Sequence, residues 1–493
     1  MTLAFGQEWV TREDMVMFIN ACFACSGQHE FYSSAGGSAV SIEFLHEYIL
    51  GNYRQLYARS LAAGINHFNS AQIILNLLAT GAATPAHQRA EEGELIYRAL
   101  AALPPQRGYR VLSELRARSI NNRRARAITR RYLGSRPDLA FEAVKYRKKV
   151  RAALVHAHAR APGELSAFLF RGWQERRFTT PLFESFRQAH YAEAAIYELP
   201  FTIAEGLAAK HGVTRDVFLA KIDQRLTVHE RLRLQKAAQR EAVELDVDLG
   251  RLPLTKLALY ILSLSPAQRA EQHARLQRGL DDAAQRVLRR TPRRLGKVAA
   301  VLDRSYSSSG STEKRRRPLG VALAVSTLLR AAAAEYRALW TTPVDDEVLV
   351  TPSGQTDLAG PLVDAIEWGA ELIVIVSDGF ENDPPRGAAE VARVFRKRLD
   401  RKRATSIVHV NPVFDAEHYS PRTIGPAIPT VGLRDAEDLF TMLGFARFAD
   451  GTAPLSDLEE YLAQRVKLLL GERSTDAEPM AEPAADVVAE AEA

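Results

Sequence analysis

The chain has 493 residues, 46% of them hydrophobic and 25% charged, an ordinary globular mix that supports a sizeable core in about two to four domains. No apolar run approaches the roughly 20 residues that span a bilayer, and two cysteines exclude a disulfide framework. The net charge is +6, but the tail 474–493 holds six acids and no bases, which leaves +12 on residues 1–473 and points to an acidic partner. The opening "MTLAFGQEWVTREDMVMF" has no basic region followed by an apolar core. No signal peptide and no membrane association are therefore expected, and the cytoplasm is the expected location.

Residues 1 to about 290 read almost entirely as helix. Ala, Leu, Arg and Glu dominate, with apolar residues at three-and-four spacing, as in "EFLHEYILGNYRQLYARSL" (43–61) and "GYRVLSELRARSI" (108–120). Breaks such as "LPPQRG" and "LGSRPD" separate them. Many short helices in series suggest an all-α helical repeat, which offers a long surface to an extended ligand.

Around 290 the pattern changes. "RRLGKVAAVLD" (293–303) is a short apolar run ending in an acid, and "RPLGVALAVSTLLRAAAAEYRALW" (317–340) reads as one helix with Pro318 in its first turn. "DEVLVTP" (346–352) and "DLAGPLVDAIEWGA" (357–370) repeat the strand-to-helix order. "ELIVIVSDG" (371–379) is a buried strand, followed by a helix at 387–399, a strand at 405–412 and two closing helices. The expectation is a multidomain chain: helical repeat over 1–290, a doubly wound α/β domain over 291–472, and a disordered acidic tail over 473–493.

Open α/β sheets bind ligands beyond the carboxyl ends of their strands. Three such ends carry oxygen groups: Asp303, Ser305 and Ser307 in "DRSYSSSGS", Thr356 in "SGQTDL", and Asp378 in "VSDGF". Two carboxylates and three hydroxyls form a hard-oxygen set of low charge, suited to Mg²⁺ or another divalent cation rather than zinc. D-x-S-x-S, a Thr in G-x-T-D and an Asp in I-V-S-D-G resemble the metal-ion-dependent adhesion site of the von Willebrand factor A domain. The resemblance implies a Rossmann-like fold, a metal held by these five residues, and a last ligand supplied by a Glu or Asp of a protein partner. It implies binding, not catalysis. Asp357 and Glu381 are the only nearby groups a hydrolase could use as a general base. Bulky Arg304 and Tyr306, and the ten residues "SSGSTEKRRR" before Pro318, form a rim that restricts access.

The densest basic stretch, 105–160, holds sixteen Lys and Arg against three acids. Helical spacing puts Arg123, Arg126 and Arg130 on one side of "NNRRARAITRRYL", with Ile128 and Tyr132 opposite. In "FEAVKYRKKVRAALVHAH", Lys145, Lys149 and His156 share a face away from Phe141, Val144 and Val155. Arg131, Lys148 and Arg151 complete the candidate set, whose faces suit a phosphate backbone. A solvated, ion-paired surface is the alternative, and the shortage of acids at i,i+4 counts against it.

Helical repeats followed by an A domain resemble the Ro (TROVE-domain) ribonucleoproteins, whose HEAT-like repeats bind noncoding and misfolded RNA. "AVKYRKKVRAALVHAH", "YELPFTIAEGLAAKHG" and "LPLTKLALYIL" are similar to segments of that family. The resemblance implies an RNA-binding scaffold; a protein-interaction adaptor without RNA, with the same two parts, is the other reading. The oligomeric state is open. Smaller signals read as structural. Cys22 and Cys25 lack a second ligand pair for zinc and are expected to be buried thiols. Phe168, Phe170 and Trp173 could stack on bases, but at helical spacing are expected in the core.

Overall fold

The computed structural model describes residues 2–30, 33–240, 247–451 and 453–471; the acidic tail lies outside the described residues. The chain forms two compact units, one from residues 1–69 with 249–471 in its described part, the other from 70–248. Among the described residues no helix is long and apolar enough to cross a membrane.

The first unit is built on a parallel five-stranded sheet. Its strands are β1 (Leu295–Leu302), β2 (Ala333–Trp340), β3 (Leu372–Val376), β4 (Ser406–Asn411) and β5 (Thr430–Gly432), in the order β2-β1-β3-β4-β5. Parallel strands need helices on both faces. On one face Ala299 and Val301 of β1 join Ile373, Ile375 and Ile407 in a core closed by Leu358, Leu362, Ala388 and Ala392. The helix Arg317–Ala332 is buried almost all round. It packs against β1, β2 and β3 and against the helices Leu254–Ser263 and His273–Arg290. A Cβ on Gly320 would overlap Leu259, so this helix meets its neighbour at close range.

Residues 1–69 belong with the sheet, although by periodicity alone they read as part of one helical stretch to 290. The reason is a set of long-range polar contacts. Asn20 donates its amide to the Thr430 carbonyl (3.2 Å) and accepts the Gly432 N–H (3.2 Å), occupying the open edge of β5 as a further strand would. Arg12 reaches the carbonyls of Phe448 and Ala453 at 3.3 and 3.2 Å.

Two elements depart from the sequence pattern. The expected helix over 317–340 ends at Ala332, and 333–340 is strand β2, paired along β1. An alanine-rich run carries helix propensity, but backbone pairing at the sheet edge outweighs it. "DEVLVTP" is not a strand. Glu347–Leu349 forms a single 3₁₀ turn, opened by the Asp346 carboxylate accepting the Val348 N–H.

In the 70–248 unit every described element is a helix or helical turn. Pro105 and Pro181 stand in first turns, where a missing N–H costs nothing. Asn122 caps the helix Arg123–Gly134 by accepting the Ala125 N–H (2.9 Å). That helix buries Ala125, Ile128, Thr129, Tyr132 and Leu133, which leaves its arginines outside. Beneath it, Tyr109 donates to Glu142 (2.7 Å), and Glu142 pairs with Arg136 (2.6 Å) in a buried network. Gly108 makes room for Tyr132, whose hydroxyl a Cβ would overlap. Gly108→Ala should therefore destabilise the protein by about 1–3 kcal/mol in a urea melt followed by circular dichroism. A gain of about 1 kcal/mol, the ordinary helix-interior effect, would contradict this packing.

Candidate metal centre and basic helical surface

β1 and β3 are adjacent, but the chain leaves β1 for β2 on one side and enters β3 on the other. Their carboxyl ends form the switch point where such sheets bind ligands. Leu302 pairs with Val376, and the Asp303 N–H continues the ladder to the Val376 carbonyl (3.0 Å). Asp303 and Asp378 thus stand side by side, both buried. Asp303 Oδ1 accepts the Ser305 N–H (2.7 Å), which tightens the turn and brings the Ser305 and Ser307 hydroxyls within 3.1 Å of each other. Ser308 donates to the Ser305 carbonyl (2.7 Å) and holds the 3₁₀ turn Tyr306–Ser309.

The second loop is tied to the first by backbone. Ser353 N–H donates to Arg304 (2.6 Å) and Tyr306 N–H to Gly354 (3.3 Å). Thr356, also buried, donates its N–H to Asn382 Oδ1 (2.9 Å) and accepts the N–H groups of Asn382 and Asp383 at 3.3 Å. This ties it to the loop after β3. Asp378 Oδ1 accepts the Phe380 N–H (3.0 Å), and Asn411 donates to the Asp378 carbonyl (3.0 Å). Gly379 has a positive φ of 81°, and a Cβ there would crowd the Arg422 backbone. The three loops bearing Asp303, Ser305, Ser307, Thr356 and Asp378 are therefore joined by direct hydrogen bonds.

The electrostatics of the pair are unfavourable as it stands. Burial, then the charge of Asp378, pushes Asp303 up to about 7. Burial also raises Asp378, with the Ser307 hydroxyl and the Phe380 N–H acting the other way. Asp378 Oδ2 is buried and accepts no hydrogen bond among the described residues. A buried, unpartnered carboxylate oxygen is costly. Beside a second carboxylate and two hydroxyls, it fits a divalent cation in an oxygen cradle. Asp357 and Glu381 have structural work instead: Asp357 accepts the Gly360 N–H (3.0 Å) and Glu381 the Ala388 N–H (2.8 Å), each at the start of a helix.

The rim after Ser309 is pinned by a segment that sequence spacing could not place. Ser311 donates to the His29 carbonyl (2.6 Å) and accepts the Lys314 N–H (3.0 Å), and the His29 N–H donates to Glu313 (2.8 Å). Lys314 forms a buried ion pair with Glu30. Arg317 bonds the Arg434 carbonyl (2.5 Å) and Asp435 (2.8 Å). Cys22 and Cys25 are buried nearby, and burial pushes the Cys25 thiol up to about 12.

The basic candidates divide into two groups. Arg131 is taken by Glu94 in a two-pronged pair and lies over Tyr97 at 3.6 Å. Lys145 faces Glu230 at 4.0 Å. Arg130 is exposed but spends its Nε on the Ala157 carbonyl (2.8 Å). Arg123, Arg126, Lys148, Lys149 and Arg151 have no acidic partner among the described residues, and Arg123, Lys148 and Arg151 are exposed. The expected common face of Lys145, Lys149 and His156 does not form. The chain breaks at Tyr146 into the helices Leu139–Lys145 and Arg147–His156, and Phe141 and Val155 lie outside, not in the core. The ion pairs that sequence spacing missed come from acids on another helix, 37 residues away for Glu94 and Arg131.

No protein-family model matches the chain, and no curated protein matches it by sequence. Among solved structures, the crystal structure of the Ro (RSR) protein of Deinococcus radiodurans is similar, with a TM-score of 0.53 and 16% identity. The match covers 83% of this chain and 94% of that one. The fold is Ro-like. It combines serial helices with an α/β unit on a parallel sheet, in line with the resemblance drawn from the sequence.

The raised carboxylate gives a signed expectation. A folded-state value near 7, against an ordinary 3.8, means that the folded chain binds more protons than the unfolded one between those limits. The contribution of Asp303 to metal-free stability therefore falls as pH rises from about 4 to about 7 and stays low above that. Asp303→Asn removes the charging cost. In EDTA, it should gain on the wild type across that window, by up to about 4 kcal/mol, and gain nothing near pH 4. Urea melts from pH 4 to 8 measure this; a pH-independent difference would contradict it.

Proposed function

We propose that this chain is a cytoplasmic Ro-like RNA-binding scaffold, not an enzyme. Its helical unit holds noncoding or structured RNA through phosphates. Its α/β unit is a von Willebrand factor A-type domain with a metal-ion-dependent adhesion site that docks an acidic group of a protein partner. The likeness of fold to a Ro protein over 83% of the chain carries this reading. It is supported by Arg123, Arg126, Lys148, Lys149 and Arg151, which have no acidic partner among the described residues and so have charge to offer a polyanion.

Asp303, Ser305, Ser307, Thr356 and Asp378 would hold Mg²⁺ or another divalent cation, which when bound supplies a positively charged, open position for a carboxylate. The chain's own residues do the rest. Ser305 and Ser307 present neutral oxygens from one turn, with exposed Tyr306 between them in the chain, and Arg304 is held by the Thr351 and Pro343 carbonyls. The pinned rim 310–317 keeps the turn closed.

Arg123→Glu, Arg126→Glu and Lys148→Glu together should weaken binding of an RNA hairpin about tenfold or more at low salt. They should also flatten the slope of log affinity against log salt by about 2–3. Unchanged affinity and slope would refute the phosphate surface. Asp303→Ala should leave RNA binding intact and abolish Mg²⁺-dependent capture of a protein partner. Wild-type protein that no RNA shifts at low salt would favour an adaptor without RNA.

A further inference from the structure

Between the helices Leu165–Phe170 and Pro181–Gln188 the 70–248 unit turns a corner crowded with aromatic rings. Phe168, Phe178, Phe183 and Phe186 are buried there, with Phe168 and Phe183 stacked at 4.1 Å. Three neighbours are not: Phe170 is 49% exposed, Trp173 36% and Tyr191 64%. Trp173 lies nearly parallel to the His190 ring at 5.0 Å and meets Tyr191 edge-on at 6.1 Å. Large rings gathered in water at one corner, beside an aromatic core that could have taken them, call for a ligand.

Cations surround these rings. The Arg151 guanidinium lies 4.8 Å from the Phe170 centroid, and Lys210 Nζ lies 5.8 Å from that of Trp173. Lys210 also donates to the His190 carbonyl (3.1 Å), which fixes it beside the rings. Arg176 and Arg177 are exposed on the same turn. Burial and the nearby Lys210 push His190 down to about 4, so a neutral ring backs Trp173.

The corner is rigid. Arg147 donates to the Phe168 and Leu169 carbonyls, both at 3.2 Å. Its guanidinium fills the space where a Gly172 side chain would stand, and Gly172 has a φ of +60°. Arg147 opens the helix whose outer stripe carries Lys148 and Arg151. At that helix's far end Arg130 bonds the Ala157 carbonyl. The helix that bears Arg123 and Arg126 is thus tied to the end of the one that bears Lys148 and Arg151.

We propose that Phe170, Trp173 and Tyr191 form a stacking platform for unpaired bases of single-stranded RNA, with Arg151 and Lys210 on its backbone; this rests on the reading that the helical unit binds RNA. Every base has a π-face, so such a platform tolerates sequence. A duplex hides those faces, so the platform selects single strands while the arginine row does not.

The test uses full-length protein with a labelled 12-nucleotide oligouridylate and a 12-base-pair RNA duplex, each titrated at several salt concentrations. Phe170→Ala with Trp173→Ala should weaken the single strand about tenfold to a hundredfold, with the salt slope and duplex affinity unchanged. Trp173→Phe, which keeps a ring, should retain most of the affinity, and its circular dichroism melt should match the wild type. Persistent RNA binding that the double variant leaves unchanged would overturn the platform and leave the RNA reading standing. Equal losses for strand and duplex would also overturn it, since the rings would then act through the fold. Wild-type protein that binds neither RNA would remove both.

Discussion

Two carboxylates buried side by side at the ends of β1 and β3 are the constraint on which the α/β unit turns. Parallel strands in register leave Asp303 and Asp378 no room to diverge, and the ladder bond from Asp303 to Val376 holds them together. Half-buried Arg422, itself paired with Asp415, offsets only part of the burial cost at Asp378, and one oxygen of Asp378 has no donor among the described residues. A protein interior does not favour such a pair without a cation. The surrounding structure holds it in place nonetheless: the Asx-type turn at Ser305, the Asn382 clamp on Thr356, the Asn411 bond behind Asp378, and the Glu30–Lys314 pair beneath the rim.

The helical unit handles charge differently. Arg124, Arg131 and Arg136 are neutralised by Glu92, Glu94 and Glu142, so those arginines are structural. Arg123, Arg126, Lys148, Lys149 and Arg151 have no acidic partner among the described residues. Composition records the sum of the two groups, and only packing separates them. Of these cations, Arg151 lies over Phe170 at the exposed aromatic corner.

Asp303 and Asp378 were legible as candidate ligands because each follows an apolar run that forms a buried strand, where a parallel sheet presents side chains to a ligand; the run before Thr356 forms no strand, and bonds to Asn382 and Asp383 place it instead. Strand β2 was not legible, since "AAEYRALW" continues a strong helix without a break and only pairing along β1 makes it extended. The place of residues 1–69 was hidden for a similar reason. Asn20, Arg12, His29 and Glu30 act on residues about 280 to 440 positions away, and no local pattern encodes that distance. Phe168 and Phe170 differ by two positions and have opposite fates, buried and exposed. The helix there is six residues long, too short for spacing to assign a face.

The central claim is that the β1–β3 switch point is a cation site built from Asp303, Ser305, Ser307, Thr356 and Asp378. Electron paramagnetic resonance of Mn²⁺ titrated into the full chain tests it most directly. The account predicts one bound ion per chain, displaced by Mg²⁺ and lost in Asp378→Ala with the fold retained. Mn²⁺ that stays free in the wild type, or binds equally in the variant, would contradict it.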